Sequence, residues 1–325
     1  MKASAKAPGN IAFIKYWGKK NPEINLPENG SLSVCLDTMN TVTTVEFSKD
    51  FKVDSITIDG NSADRELARI LRHINEIRKM AKITDKVRMV SKNSFPNASG
   101  LASSASGFAA LAVAGSKAAG LNLPQKELSI LARHGSGSAA RSIPDGYVEW
   151  LNGDDNLSSY SYSMFPANHW DLAAIAVVIT TEKKDVSTTA GHAITTSSPF
   201  YKLRIKSLPN YIDEMKKTIA DKDFEKFGEM LEAECLNFVS MSLTSSPYII
   251  YWEPTTIRIM KLCKKLRDKN LLAYFTMDAG PQPVIYCLQR DALKISKIIN
   301  ETEGVIDTII SRPTIGTRLI EDHLF

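Results

Sequence analysis

The stretch Pro96-Asn97-Ala98-Ser99-Gly100-Leu101-Ala102-Ser103-Ser104-Ala105 decides how the rest of the chain is read. A strand-like run, 87–91, leads into it, and an Ala-rich segment, 106–119, with high helix propensity and no proline, leaves it. A small-residue loop that opens a helix leaves several backbone N–H groups without intrahelical partners. They point one way, and the helix dipole adds partial positive charge. Such a place suits an anion, most often a phosphate. Small side chains let a phosphate reach the backbone, and Ser103 and Ser104 add hydroxyls. The same letters also fit a Ser/Gly turn ahead of a core-packing helix, and the local pattern leaves both readings open.

Outward from the loop, the opening Lys6-Ala7-Pro8-Gly9-Asn10-Ile11-Ala12-Phe13-Ile14-Lys15-Tyr16-Trp17-Gly18-Lys19-Lys20 mixes strand-like apolar residues with cations and aromatics. Lys15 and Lys19, four apart, would share one face of a helix. They equally fit a solvated pair at the end of an edge strand. Pro27-Glu28-Asn29-Gly30 marks a turn, and the Val/Thr-rich run 31–47, broken at Met39-Asn40, reads as a hairpin. Leu67, Ile70, Leu71, Ile74 and Ile77 recur at helical steps and predict a core-facing helix that carries no chemistry. Another helix is expected from Pro124 to about Arg133.

That helix runs into His134-Gly135-Ser136-Gly137-Ser138-Ala139-Ala140-Arg141-Ser142, which offers exposed backbone, hydroxyls and one cation. A guanidinium grips carboxylate or phosphate bidentately, although the bare pattern also fits a flexible loop. Neither Ser-rich loop has the glycines that a hydrolase elbow needs on both sides of its serine. Farther on, 171–179 reads as a buried strand, followed by the polar loop Lys183-Lys184-Asp185-Val186-Ser187-Thr188-Thr189 and a domain junction. Helices are expected over 201–219, 224–241 and 255–267. The strand 271–277 ends in Asp278-Ala279-Gly280-Pro281, and 284–288 is another strand. An Asp there ordinarily caps its own turn; the alternative is a carboxylate at a strand end facing a substrate hydroxyl.

With 325 residues, 43% hydrophobic and 23% charged, the chain has the make-up of an ordinary globular protein of about two domains. Its net charge of +4 is spread among acidic residues, which does not call for a nucleic-acid role and suits the holding of small polyanions. No signal-peptide core and no membrane-length apolar run are seen, so a cytoplasmic protein is expected. Cys35, Cys235, Cys263 and Cys287 form no C-x-x-C pair and are expected to be buried thiols. Without clustered ligands a protein-held catalytic metal is not expected, whereas Mg²⁺ arriving with a nucleotide stays open.

In order and identity these stretches narrow the reading. Residues 96–105 resemble the phosphate loop of the GHMP kinase superfamily, P-x-x-x-G-L-x-S-S-A. With Ile14-Lys15-Tyr16-Trp17-Gly18-Lys19, 135–142 and Thr276-Met277-Asp278-Ala279-Gly280-Pro281, the chain resembles the diphosphomevalonate decarboxylase family from about Ala5 to Leu288. The resemblance implies an α+β, two-domain GHMP kinase fold. A ribosomal protein S5 domain 2-like N-terminal domain, 1–182, would carry the phosphate loop, and a ferredoxin-like C-terminal domain, 183–325, would carry the aspartate. It also implies a homodimer and ATP with Mg²⁺. ATP would phosphorylate the tertiary hydroxyl of 5-diphosphomevalonate, and loss of phosphate and CO₂ would give isopentenyl diphosphate.

Carried over by motif, Asp278 would act on the hydroxyl as base or orienting carboxylate, and Lys15 would keep it ionised and steady developing charge. Arg141 would clamp the substrate carboxylate. Tyr16, Lys19, Ser136, Gly137 and Ser138 would hold the substrate, chiefly its diphosphate end, and Ser187 and Thr188 match a family substrate loop. Asn97, Ala98, Ser99, Gly100, Leu101, Ala102, Ser103, Ser104 and Ala105 would hold the ATP phosphates. Departures from the family pattern are Asn97 and Ser99, the run Ile143-Pro144-Asp145-Gly146, and Gln282 in place of Asn. A decarboxylase of monophosphorylated mevalonate, a mevalonate 3-kinase or a nucleotide-sensing regulator would share most of these residues. The complete set of Asp278, Lys15 and Arg141 speaks against the 3-kinase and intact Asp278 against the regulator, whereas the monophosphate alternative turns on how many cations and donors meet the substrate's far end.

Overall fold

The computed structural model describes residues 1–63, 66–94, 103–182 and 185–325, with Ser103 described by its backbone alone. β1 (Lys2–Ile14) is buried along nearly its whole length, as its run of small and apolar residues dictates. After a short ribbon of β2 (Lys19–Asn21) and β3 (Leu26–Pro27), the chain returns antiparallel to β1 as β4 (Ser31–Ser48). Here the structure departs from the predicted hairpin: β4 is one 18-residue strand. The Met39-Asn40 break is a bulge, because the register with β1 shifts between Pro8 and Gly9. A Cβ on Gly9 would sit 3.1 Å from the Met39 carbonyl oxygen, so the close approach suits glycine. Such a bulge bends a strand and re-aims its ends.

β5 (Ser55–Ile58) and β6 (Asn61–Ser62) precede α1 (Leu67–Ala81), which returns the chain to β7 (Lys86–Asn93). β7 pairs with the C-terminal part of β4 and, in parallel, with β5. α2 (Ser103–Ala118) and α3 (Gln125–Gly135) join α1 over this sheet. Buried alanines, among them Ala105, Ala109, Ala112 and Ala114, let α2 lie close on β1 and β4. Ser106 Oγ and Thr41 Oγ1, 2.7 Å apart, share a hydrogen bond across that contact. β8 (Tyr147–Trp150) pairs with the N-terminal part of β4 and with β9 (Ser161–Phe165).

The second sheet is antiparallel throughout. It begins with β10 (Leu172–Val178), buried at every residue, and continues after a short α4 (Thr188–Ile194) and the long α5 (Tyr201–Asp221), α6 (Phe224–Leu243) and α7 (Pro254–Arg267). β11 (Tyr274–Met277), β12 (Pro283–Leu288) and, after α8 (Ala292–Asn300), β13 (Asp307–Ser311) complete the order β11-β12-β10-β13. β10 lies before the expected 182/183 junction, yet its hydrogen bonds run within this sheet. β14 (Arg318–Ile320) carries the tail back to the edge of β1. The α+β arrangement of two sheets is the one expected from the sequence.

A shared core positions the site. Phe13, near the end of β1, meets Phe227 of α6 edge-on at 5.0 Å and Tyr286 of β12 at 5.4 Å. Strand and helix from the two halves are thereby locked together two residues before Lys15. The four cysteines are buried and unpaired. Among the described residues no helix is long and apolar enough to cross a membrane.

The contact between α6 and β11 yields a stability test. A Cβ on Gly228 would lie 2.1 Å from Cγ and Cδ2 of the buried Tyr274 ring, whereas one on Gly107 of α2 would meet nothing within 4 Å. Gly228→Ala is expected to destabilise by roughly 1–3 kcal/mol through overpacking. Gly107→Ala should gain about 0.5–1 kcal/mol from helix entropy. Thermal unfolding of both variants checks the opposite signs.

Candidate active site

Both halves line one cavity of about 830 Å³. Lys15 follows the last residue of β1, and its side chain is only 3% exposed. A buried ammonium needs acceptors. Lys15 Nζ donates to the Ala12 carbonyl and to Asp278 Oδ1, both at 2.8 Å. Asp278 stands immediately after β11, with its side chain 36% exposed toward the cavity. Its carboxylate therefore serves Lys15 instead of capping its own turn.

Arg141 sits in a short 3₁₀ helix, Gly137–Ser142, and is buried. Its Nε donates to Asn10 Oδ1 and its Nη1 to Ser31 Oγ, both at 3.0 Å, and the guanidinium lies 5.8 Å from the Trp150 ring centre. Burial pushes its pKa down to about 10, opposed first by nearby Asp278, so it remains a cation at neutral pH. Asn10 also donates to the Ser138 carbonyl and to Ser142 Oγ. The Arg is thus aimed by β1 and β4, not left on a flexible loop. The Ile143–Gly146 departure is absorbed by the tail: the Gly316 N–H donates to Asp145 Oδ1 at 2.6 Å.

Ser136 ends α3, and a relay of hydroxyls runs from Ser104 Oγ to Ser136 Oγ at 3.2 Å and on to Ser138 Oγ at 3.4 Å. Gly137 is required here, since a Cβ would meet the Tyr16 ring at 2.5 Å. Tyr16 is held between Trp150 and His192, each 4.6 Å away between ring centres. Its hydroxyl is buried without a hydrogen-bond partner among the described residues. Burial pushes that phenol far up, while Arg141, Arg133 and Arg69 pull the other way. Lys19 Nζ donates to Asn25 Oδ1 at 2.7 Å, and burial, with Arg69 nearby, lowers its pKa to about 8.

Lys15, Tyr16, Lys19, Ser104, Ser136, Gly137, Ser138, Arg141, Ser187, Thr188 and Asp278 all line this cavity. Lys15 and Lys19 do so without sharing a helix: the chain between them is irregular and Lys19 opens β2. Ser187 caps α4, accepting from the Ala190 N–H at 3.2 Å, where the sequence had suggested only a polar loop. Ala105 is buried in α2. Asn97, Ala98, Ser99, Gly100, Leu101 and Ala102 lie outside the described residues, as does the side chain of Ser103. Gln282 is engaged with the end of β10, accepting from the Ile179 N–H at 2.7 Å and donating to the Thr180 carbonyl at 2.6 Å.

Sequence reading missed two residues that shape the cavity. Asn10 aims Arg141, as above. Arg69, on the helix given no chemistry, donates from Nε to the Gly135 carbonyl at 2.7 Å and lies 4.5 Å over the Phe108 ring. Only topology brings it there. A third link was equally silent: the Gly18 N–H donates to His192 Nδ1 at 2.9 Å, tying α4 to the Tyr16–Gly18 segment.

Comparison with known proteins places this geometry. A family model described as the diphosphomevalonate decarboxylase-like N-terminal domain matches residues 7–162, and one for the mevalonate 5-diphosphate decarboxylase C-terminal domain matches 174–314. The diphosphomevalonate decarboxylase of Debaryomyces hansenii is 39% identical over 321 residues, covering 91% of this chain and 82% of that one. The crystal structure of mevalonate diphosphate decarboxylase from Staphylococcus aureus matches with a TM-score of 0.93 at 36% identity, over 98% of each chain. MDDEF in complex with MVAPP, AMPPCP and magnesium matches with a TM-score of 0.92 at 36% identity, over 99% of each.

The depressed Lys19 ionisation sets a pH test. The ammonium is present below about pH 8 and lost above it, so affinity for a polyanion is full at pH 7 and falls as pH rises. Calorimetry with inorganic pyrophosphate should show roughly tenfold weaker binding at pH 9 than at pH 7, the ratio of charged fractions. Lys19→Arg, which keeps its charge, should flatten that decline.

Proposed function

The chain belongs to the diphosphomevalonate decarboxylase family, and from that premise we propose that it converts (R)-5-diphosphomevalonate and ATP into isopentenyl diphosphate, ADP, phosphate and CO₂. The observation that carries the reading is the convergence of Lys15, Asp278 and Arg141 on one cavity that also holds Lys19 and Arg69. The two-domain GHMP kinase fold is that of the family.

Asp278 receives the tertiary hydroxyl and takes its proton as the hydroxyl oxygen bonds to the γ-phosphorus of ATP and ADP departs. Lys15, 2.8 Å from the carboxylate, holds it in place and stabilises charge on the transferring group. The C3–O bond then breaks and phosphate leaves. The C1–C2 bond breaks in turn, its electron pair forming the C2–C3 double bond as CO₂ is released. Arg141 fixes the carboxylate for that departure; its own orientation is set by Asn10 and Ser31.

Tyr16, Lys19, Arg69, Ser136, Gly137 and Ser138 suit the diphosphate end, and the unpartnered Tyr16 hydroxyl is one donor awaiting an anion. Two cations and several hydroxyls there support a diphosphate over a monophosphate. The ATP phosphates are assigned to the segment 97–105 at the start of α2. Magnesium would fit as a companion of the triphosphate, since such ions take phosphate oxygens plus one or two protein oxygens, and the Ser104 hydroxyl offers one on the cavity wall. When bound, it supplies charge neutralisation on the phosphates. Family membership also supports a homodimer.

Product stoichiometry tests the function. Purified protein with ATP, Mg²⁺ and 5-diphosphomevalonate should give ADP, phosphate and CO₂ in equal amounts. 5-Phosphomevalonate should react with kcat/KM lower by about 10²-fold, the loss of one or two charge-assisted hydrogen bonds. ADP without CO₂ would mean a 3-kinase, and preference for the monophosphate would reassign the substrate.

A further inference from the structure

Lys15 lies one residue past β1, where its backbone leaves the ladder while still buried. Its N–H and C=O must find partners elsewhere. The Lys15 N–H donates to Glu234 Oε1 at 2.7 Å. Its carbonyl accepts from Arg204 Nη2 at 3.1 Å and from Asn29 Nδ2 at 3.0 Å. Arg204 Nη2 also donates to Glu234 Oε1 at 2.6 Å, and neither side chain is more than 1% exposed. A buried ion pair from α5 and α6 therefore grips both peptide groups of one residue at the end of β1.

The partner of Lys15 is held in a parallel way. Glu232, two residues earlier on α6, accepts from the Phe275 N–H of β11 at 3.2 Å. Its own partner Arg267, 2.7 Å away, donates to the Ala273 carbonyl at 2.6 Å. Residues two apart on a helix point about 200° apart, so α6 presents one carboxylate to each side. Glu234 faces the Lys15 peptide, and Glu232 faces β11, the strand that Asp278 follows.

We infer that α6 is a spacer that sets the Lys15–Asp278 distance, with Glu234 and Arg204 as positioning residues for Lys15. This deepens the proposed decarboxylase reading and rests on it. Buried ion pairs can usually be replaced by apolar side chains of similar volume without loss of stability. An ion pair aimed at the backbone of a reacting lysine has a use that such a replacement would not preserve.

The test is R204M/E234M in the full chain. It should fold with a melting temperature a few degrees below wild type, because the buried Lys15 N–H loses its acceptor, and keep KM for ATP and 5-diphosphomevalonate within about threefold, while kcat falls about 10²-fold from misplacement of Lys15. R204M/E234Q restores an acceptor for the Lys15 N–H without orphaning a cation, and should recover kcat about tenfold over the apolar pair. A folded R204M/E234M with wild-type kcat overturns the inference. If that variant fails to fold, R204M/E234Q is read against wild type: a several-fold fall in kcat at unchanged KM supports the clamp, and unchanged kcat overturns it. Wild type run alongside separates the two levels. No CO₂ from wild type defeats the decarboxylase reading, whereas a working wild type with an equally active variant defeats only the clamp.

Discussion

A buried ammonium 2.8 Å from a carboxylate, each at the end of a strand in a different sheet, is the contact on which the rest of the structure depends. Leaving the buried Lys15 ammonium without its carboxylate costs several kcal/mol. Lys15 is therefore comfortable only when the two halves are correctly docked. The aromatic junction of Phe13 with Phe227 and Tyr286 does that docking two residues away.

Around that contact the cavity collects more positive charge than it neutralises. Lys19, Arg69 and Arg141 all face it, and burial lowers the proton affinity of each. Desolvated cations held by fixed hydrogen bonds form a preorganised field for an anion, with little reorganisation left to pay. A substrate with a carboxylate at one end and a diphosphate at the other matches such a field at both ends. In the proposed reading the reacting hydroxyl falls between them, beside Asp278.

Much of this was legible in the letters. Of the periodic residues Leu67, Ile70, Leu71, Ile74 and Ile77, the structure buries Ile70, Ile74 and Ile77, half-buries Leu71 and leaves Leu67, at the first turn of α1, exposed. The order of the four motif stretches pointed to residues that meet in one cavity. What escaped was whatever needed long-range topology. Arg69 occupies the polar stripe of an amphipathic helix, where an arginine ordinarily faces water, and only the packing of α1 beside α3 turns it toward Gly135. The bulge opposite Gly9 imitates a hairpin turn because both call for a break in alternation. α4 begins in a polar Ser-Thr-Thr run that reads as a loop unless Ser187 is recognised as its cap.

The measurement that bears most directly on the central claim is rapid-quench formation of ADP and CO₂ by Asp278→Asn, with affinity for 5-diphosphomevalonate measured by calorimetry. If the carboxylate beside Lys15 receives the substrate hydroxyl, affinity should stay within about threefold of wild type while both products form about 10²–10⁴-fold more slowly. An Asp278→Asn protein that binds normally and turns over near the wild-type rate would contradict the assignment and move the chemistry elsewhere in the cavity.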